Sequence, residues 1–427
     1  MISAIQLLRR NPAYARLWGA QAVSLIGDWF NTIVLSALVA RYTDGSGLAI
    51  SLLLLARFLP PLIVSPLAGV LLDRYDRRRL LIISDVVRIF VVLGFLLATG
   101  PDRVWLIYLL TIIQFSFSSL FEPGRSALLP AVVNREDLVA ANILGSVTWS
   151  IMLAVGGALG GLVSGLLGSN IALLFDAATF AVSALLIWSI RLPREVTHPT
   201  KGKTHQSSGL RDYIEGLRYA RRNPETLLTL LVKAGGNVGN VDALLIVYAT
   251  GLFVLGEDGS GSLGVLWSAF GIGAILGPIL VERWNNGSVR SMRRIILAGY
   301  GFIAAGWFLL AGAPVLAIAA LSMMVKAIGS SLYWTYSSAI LQKTVDDAYL
   351  GRIFSLDMAG FQLFSVLSII ATGAALEAYG DGSVRIIVAV TGILSLIPLV
   401  LWAAVLRYLD RRTAQREQSP VAASPTP

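Results

Sequence analysis

The sequence predicts an all-α polytopic membrane protein, with twelve transmembrane helices in two pseudo-symmetric six-helix bundles. Three observations predict it. Of the 427 residues, 56% are hydrophobic and only 14% charged, whereas soluble domains carry about 25% charged residues. The apolar residues fall in continuous runs that reach or approach the ~20 residues a bilayer core requires. The runs do not alternate in polarity, which argues against a β-barrel. Finally, the two halves repeat. Asn11-Pro12 recurs 212 positions on as Asn223-Pro224, and Ser126-Ala127-x-Leu129 with Val133 and Leu138 recurs at the same offset as Ser338-Ala339-x-Leu341 with Val345 and Leu350. A duplicated six-helix unit is a transporter architecture in which substrate binds between the halves near the midplane.

Taken in order, the expected spans are 17–40, 48–72, 80–99, 104–121, 143–167, 171–190, 226–252, 263–281, 295–312, 316–336, 353–379 and 384–408. The domains follow: an amino-terminal bundle over 1–190, a cytoplasmic linker over 191–223, a carboxy-terminal bundle over 224–408 and a disordered tail over 409–427. In the linker, Leu210, Ile214 and Leu217 share one helical face, with Arg211, Arg218, Arg221 and Arg222 elsewhere. That pattern predicts a helix lying on the inner membrane surface. Arg9, Arg10 and Arg16, the arginines around 74–79, the linker and the carboxy tail all fall on one side, and only Arg41, Arg103 and Arg385 on the other. By the positive-inside rule both termini are cytoplasmic, in the cytoplasmic membrane. The amino terminus lacks the small-residue cleavage site of a signal peptide.

The chain has no cysteine and only two histidines, His198 and His205, both in the linker. No thiolate or His-based metal site is expected, nor any cofactor. No Gly-x-x-x-x-Gly-Lys-Ser/Thr, His-Glu-x-x-His or Gly-x-Ser-x-Gly occurs, so neither ATP drive nor an intramembrane enzyme is expected. The net charge of +9 speaks to topology and not to nucleic acid.

Between the second and third runs stands Gly69-x-x-x-Asp73-Arg74-x-x-Arg77-Arg78. It resembles the loop signature of the major facilitator superfamily. With Leu59-Pro60, Ser65-Pro66-Leu67-Ala68, Asp85-x-x-Arg88, Leu128-Leu129-Pro130 and Tyr213-x-Glu215-Gly216, the resemblance covers Asn11 to Tyr408. It is closest to the branch of enterobactin exporters and macrolide-efflux proteins, with lysophospholipid carriers as neighbours. The resemblance implies a monomeric secondary transporter that exports a bulky amphipathic compound by alternating access. Protons are the expected coupling ion, and small-molecule substrate and lipid bilayer the other partners. A lysophospholipid carrier is the alternative.

The resemblance also implies roles. Gly69, Asp73, Arg74, Arg77 and Arg78 gate the cytoplasmic side, with Asp357 of the eleventh span available as a latch. Gly156-Gly157-Ala158-Leu159-Gly160-Gly161 matches the antiporter motif Gly-Pro-x-x-Gly-Gly except that glycine replaces proline, so Gly156, Gly160 and Gly161 should close the outer side. The fourth span lacks the arginine that often attends proton coupling. The superfamily cavity is lined by spans one, four, seven and ten. There Gln114, Phe117 and Phe121 share a face, opposed by Lys326 and Tyr333, and Asn240 is the repeat counterpart of Asp28.

Charges at mid-bilayer need a partner or a task. Asp28 and Arg57 have similar depth on adjacent spans and read as an ion pair, for which coupling and a purely structural role share one signature. Asp242 is the next candidate acid. Asp85 and Arg88 read as structural and close to the cytoplasmic edge, Asp176 as water-satisfied near the outer end, and Lys233 has no assigned role.

Overall fold

In the computed structural model, residues 4–134, 137–191, 209–238 and 241–418 are described, and all regular structure among them is helical. The first six spans are Pro12–Tyr42, Gly47–Arg74, Arg77–Phe95, Val104–Val132, Leu138–Leu167 and Ser169–Trp188. The second half has Ser260–Val281, Val289–Ala311, Leu316–Thr344 and Asp347–Tyr379 as spans eight to eleven. The seventh is divided into Pro224–Gly236 and Val241–Val247, and the twelfth into Val384–Leu394 and Leu396–Gln418.

Ten of the helices are long and apolar enough to cross a bilayer. The remaining two of the twelve are the third and the seventh. The third opens on Arg77-Arg78-Arg79 and carries Asp85 and Arg88, which lowers its hydropathy. The seventh was expected unbroken over 226–252. Its inner half instead ends at Gly235-Gly236 with Asn237 as C-cap, and its outer half closes in a π-turn over Tyr248–Leu252. Two consecutive glycines carry the backbone-entropy cost that makes a helix end there.

Several helices overrun their expected ends, because bilayer thickness sets only a minimum length. The fourth continues through Pro123 and Pro130 to Val132, and the tenth to Thr344. The last runs on to Gln418, so the expected tail is helical over 409–418; 419–427 lies outside the described residues, as does 192–208 of the linker. Both copies of Asn-Pro sit where their shared identity demands, with Pro12 and Pro224 opening a helix. Proline is tolerated in a first turn because its missing N–H has no helical partner to lose. Asp76 caps the third helix by accepting from the Arg79 amide at 3.0 Å, and Ser288 caps the ninth by accepting from Ser291 at 3.1 Å.

The same pairs of helices pack in each half: one on five and six, two on four, three on four and six, matched by seven on eleven and twelve, eight on ten, nine on ten and twelve. Between the halves, five packs on eight and two on eleven, pairs that exchange under the repeat. Large apolar side chains such as Phe90, Leu166 and Trp188 are exposed and form the lipid-facing surface. The linker helix Gly209–Arg222 docks on the eleventh span. Tyr219 stacks on Tyr349 at 4.4 Å, and Glu215 pairs with Arg352 at 3.3 Å. This leaves Ile214, Leu217, Arg218, Arg221 and Arg222 outward, the arrangement an interfacial helix needs.

Candidate functional site

The amino-terminal half buries a chain of charges. Arg88 is fully buried on the third span, pairs with Asp85 one turn away, and reaches Asp28 of the first span at 3.7 Å. Asp85 also accepts from Ser183 of the sixth span at 2.6 Å. The rings of Phe180 and Phe121 stand over the guanidinium at 4.2 and 5.2 Å. Asp28 therefore pairs directly with Arg88, while the charge of Arg57, the expected partner, also acts on it. The third helix begins within the basic knot at Arg77, so Arg88 lies eleven residues in, about 16 Å at 1.5 Å per residue.

Asp176 joins this cluster. It was expected at the outer end in water, and it is instead fully buried against Gly27. A Cβ on Gly27 would fall 2.5 Å from Asp176 Oδ1, so glycine is what lets the carboxylate in.

Arg57 has further contacts of its own. It donates to Thr32 and lies over the rings of Phe115, Trp29 and Phe58 at 5.0, 5.8 and 6.0 Å. Thr32 in turn donates to the Asp28 carbonyl at 2.6 Å, which ties Arg57 to the Asp28 turn through backbone. Beside it a narrow crevice is lined by Asn31, Thr32, Ser36, Arg57 and Thr111. The Asn31 amide nitrogen, the Thr111 hydroxyl and both amide atoms of Gln114 are buried there or one turn on without hydrogen bonds. Buried polar atoms are rarely left so, and groups of this kind suit a polar ligand atom. Phe117 is half-buried and its carbonyl accepts from Ser84 at 2.8 Å. Phe121 does not line a cavity with Gln114; it packs into the core around Leu17, Leu81 and Ile187.

In the carboxy-terminal half Lys233 hydrogen-bonds Asp357, and its Nζ also reaches Ser338 Oγ at 3.0 Å. The Trp334 ring lies 4.3 Å from the ammonium. Lys233, to which the sequence assigned nothing, is thus the partner of Asp357. Among the described residues Asp357 pairs with Lys233, and the partners of the knot's Arg77 and Arg78 lie in the amino-terminal half; the Asp73 side chain, the other member of the expected latch, lies outside what is described. The repeat places Gln21 opposite Lys233 and Gly145 opposite Asp357, and the Arg125 guanidinium fills the space beside Gly145. Both copies of the site therefore hold buried polar groups, but in the amino-terminal copy the cation, Arg125, pairs with the exposed Glu122 and not with a buried acid.

Lys326 is buried with its Nζ 4.9 Å from the Trp307 ring and 5.8 Å from that of Phe270. Gly306 packs directly on its backbone. Tyr333 does not face the fourth span: it stacks on Tyr300 at 6.1 Å and lies under Gly236, inside its own bundle. Asn240 lies outside the described residues. Asp242, Gly69 and Asp73 belong to helices, but their side chains lie outside what is described.

The halves meet at the outer side. Gly161 is so close to Gly264 that a Cβ would fall 2.6 Å from its Cα, and Gly271 meets the Ala154 backbone equally closely. Small residues allow such backbone approach. Ser268 donates to the Ala154 carbonyl at 2.9 Å, Trp29 packs on Trp267 at 5.0 Å, and Arg41 pairs with Glu257 and Asp258 at 3.2 and 3.3 Å. Gly373 abuts Ser51 where spans eleven and two cross. Gly156 and Gly160 of the expected gate motif face the first span within their own half, against Trp29, Phe30 and Ile33; Gly161 faces the partner half.

At the cytoplasmic ends the described polar contacts stay within each half. Arg77 donates to the Ala127 carbonyl at 2.9 Å, and Arg78 to Ile187 at 3.1 Å and to Trp188. These arginines satisfy carbonyls in the fourth and sixth helices, the sixth at its very end, where a positive charge is favoured. Arg293 pairs with Glu225 at 2.7 Å, and Lys343 donates to Gly287 at 2.9 Å. Arg74 is exposed. Among the described residues, close contacts between the halves lie toward the outer side, and none of the polar contacts described at the cytoplasmic ends joins the halves.

Comparison with known proteins agrees with this geometry. Residues 17–321 match the Major Facilitator Superfamily. The MFS-type transporter YfiS of Bacillus subtilis is 26% identical over 396 residues, 88% of this chain and 89% of that protein. Macrolide efflux protein A of Streptococcus pyogenes is 23% identical over 358 residues, 80% and 83% of the two chains. The crystal structure of the nucleoside transporter NupG superposes with a TM-score of 0.67 at 14% identity, covering 92% of this chain and 98% of the other.

Proposed function

Because the chain belongs to the major facilitator superfamily, we propose that it is a secondary active exporter that moves a bulky amphipathic compound across the cytoplasmic membrane by alternating access, driven by protons. The observation that carries the reading is the asymmetry of closure: glycine-tight contacts and an ion-pair cluster seal the outer ends, while polar contacts at the inner ends stay within each half. A carrier caught open to the cytoplasm has this form, and export begins by loading from that side. The name of the macrolide-efflux relative supports the direction.

In this reading the ligand enters between the halves. Gln114, Phe117 and the Arg57 crevice meet it from one side, and Lys326 and Asn240 from the other. Phe121 and Tyr333 shape the cavity from behind by holding Arg88 and the seventh span. Asp28, with Arg88, supplies the acid needed for coupling, and Asp242 is a second acid on the other half. Asp73 and the arginines of the knot govern how the cytoplasmic ends come together. The protein works as a monomer with both termini inside.

The test uses purified protein in proteoliposomes with an imposed pH gradient, given either ethidium or a fluorescent lysophospholipid. Gradient-driven movement of the dye supports export of amphipathic drugs. Movement of the lysolipid alone assigns the protein to lipid transport, and movement of either without response to the gradient removes the proton from the reading.

A further inference from the structure

The charged groups buried among the first, second, third and sixth spans do not balance. Asp28, Asp85 and Asp176 carry three negative charges, and Arg88 and Arg57 two positive ones. Arg88 is committed to Asp85 and Asp28. Asp85 is doubly satisfied, by Arg88 and Ser183. Neither oxygen of Asp176 and not Oδ1 of Asp28 makes a well-formed hydrogen bond; the Asn31 amide is the donor that faces Asp176, and the Arg88 guanidinium stands 3.7 Å from Asp28 Oδ1. Two acids share one pocket, with three acceptor oxygens facing only the Asn31 amide and the Arg88 guanidinium among the described groups.

An isolated buried carboxylate costs several kcal/mol, and two facing carboxylates cannot both remain ionised cheaply. We propose that Asp28 and Asp176 hold one proton between them, forming a proton-binding site built jointly by spans one and six.

The charged groups around Asp176 are few. The first span presents Asp28, and the third presents Arg88 and Asp85. The fifth span carries no charged residue over 138–167, and the sixth carries only Asp176 over 169–188. The Asp28 side chain is 20% exposed whereas Asp176 is fully enclosed, so Asp28 is the entrance and Asp176 the dry end. On loading, a hydronium ion gives its proton to a carboxylate oxygen and leaves as water, and the new O–H donates to the other carboxylate. On release, the O–H bond breaks, its electron pair stays on oxygen and the proton returns to water. Gly27 keeps the two acids close, since any side chain there would push Asp176 away.

This deepens the proton-coupled reading by naming its acid pair, yet it is tested without substrate or transport. Infrared spectra of the purified protein in H2O and D2O at neutral pH report the carbonyl stretch of a neutral carboxyl group. The wild type should show one such band, shifted by deuterium. Asp176→Asn should lose it. Asp28→Asn should lose it too, because with the second carboxylate gone the remaining acid can ionise beside Arg88. Asp357→Asn, in the other half, should retain it. A wild type without the band, a band that survives both Asp176→Asn and Asp28→Asn, or one lost in Asp357→Asn overturns the proposal. Should Asp176→Asn fail to fold, Asp28→Asn decides alone: an unchanged band overturns the pair. A band that behaves as expected in a protein whose flux ignores pH gradients would leave the site standing and remove proton-driven export.

Discussion

Lys233 Nζ donates to Asp357 Oδ2 with neither side chain exposed, tying the inner half of the seventh span to the eleventh. The link spans 124 residues of sequence and lies about one turn before the place where the seventh span is broken. Asn237, just past the break, donates to Ser365 and Phe361 at 2.8 and 3.2 Å, and its carbonyl accepts from Ser368 at 2.5 Å. The inner half-helix is therefore bound to the eleventh span along its length.

Removing one member of that pair should be costly. Lys233→Met leaves Asp357 as an uncompensated buried charge, a loss of about 3–5 kcal/mol in comparable cases. The double variant Lys233→Met, Asp357→Leu should recover most of that stability, since replacing a buried pair by apolar groups is often neutral. Thermal unfolding in detergent checks both. A single variant as stable as the wild type would mean that water reaches Asp357.

The outer seal gives a second prediction. Gly161→Leu inserts a side chain where a Cβ alone falls 2.6 Å from Gly264 Cα, and overpacking of this kind costs about 1–3 kcal/mol. That energy opposes only the closed outer state. The chain has no cysteine, so Ser51→Cys, at a position 2% exposed beneath Gly373, can be labelled from outside without background. Labelling should rise about tenfold in the Gly161→Leu background, the equivalent of about 1.4 kcal/mol. Unchanged labelling would show that the seal does not depend on this contact.

The architecture was legible in the sequence because its signals are long. Twelve apolar runs, the repeated Asn-Pro and the distribution of arginine follow from bilayer thickness and duplication. The site was less legible, because partner choice depends on rotation about helix axes and on where each helix begins. Arg57 was expected beside Asp28 and reaches Thr32, one turn on, and Phe115, while Arg88 of the third helix meets the carboxylate itself. Lys233 was silent because its partner lies on a helix far away in sequence. A signal existed for Asp176: Gly27 next to Asp28 is the only glycine within the first span apart from Gly19, and a glycine beside a membrane acid marks a close neighbour.

Asp73→Asn should slow turnover while leaving equilibrium affinity for a bound dye nearly unchanged. Asp73 sits in the last turn of the second helix, one residue before its end at Arg74, a half-bilayer from the midplane cavity. Stopped-flow flux and equilibrium fluorescence titration separate the two quantities. A large fall in affinity with normal turnover would place Asp73 in the binding site.

Lys326→Met should select among substrates. The ammonium lies between the Trp307 and Phe270 rings, and a cation so placed favours an anionic or zwitterionic ligand group. Transport of carboxyfluorescein should fall while that of ethidium persists. Equal loss of both would indicate a damaged fold, since Gly306 packs on the Lys326 backbone.

The last prediction separates the two arginines near Asp28. Coupling requires an acid that is ionised when its cation is near and takes a proton when the environment turns dry. Asp28 meets Arg88 directly at 3.7 Å, whereas the described hydrogen bond of Arg57 goes to Thr32, whose hydroxyl donates to the Asp28 carbonyl. Asp28→Asn should therefore abolish concentration of ethidium against its gradient and leave downhill exchange intact. Arg57→Met should weaken binding, because it empties the crevice beside Asn31 and Thr111, but it should leave the response to a pH gradient in place. Flux in proteoliposomes with and without the gradient measures both. If Arg57→Met uncouples transport as fully as Asp28→Asn, then Arg57 and not Arg88 is the cation that Asp28 answers to. If Asp28→Asn still concentrates the dye, coupling moves to Asp242 in the outer half of the seventh span.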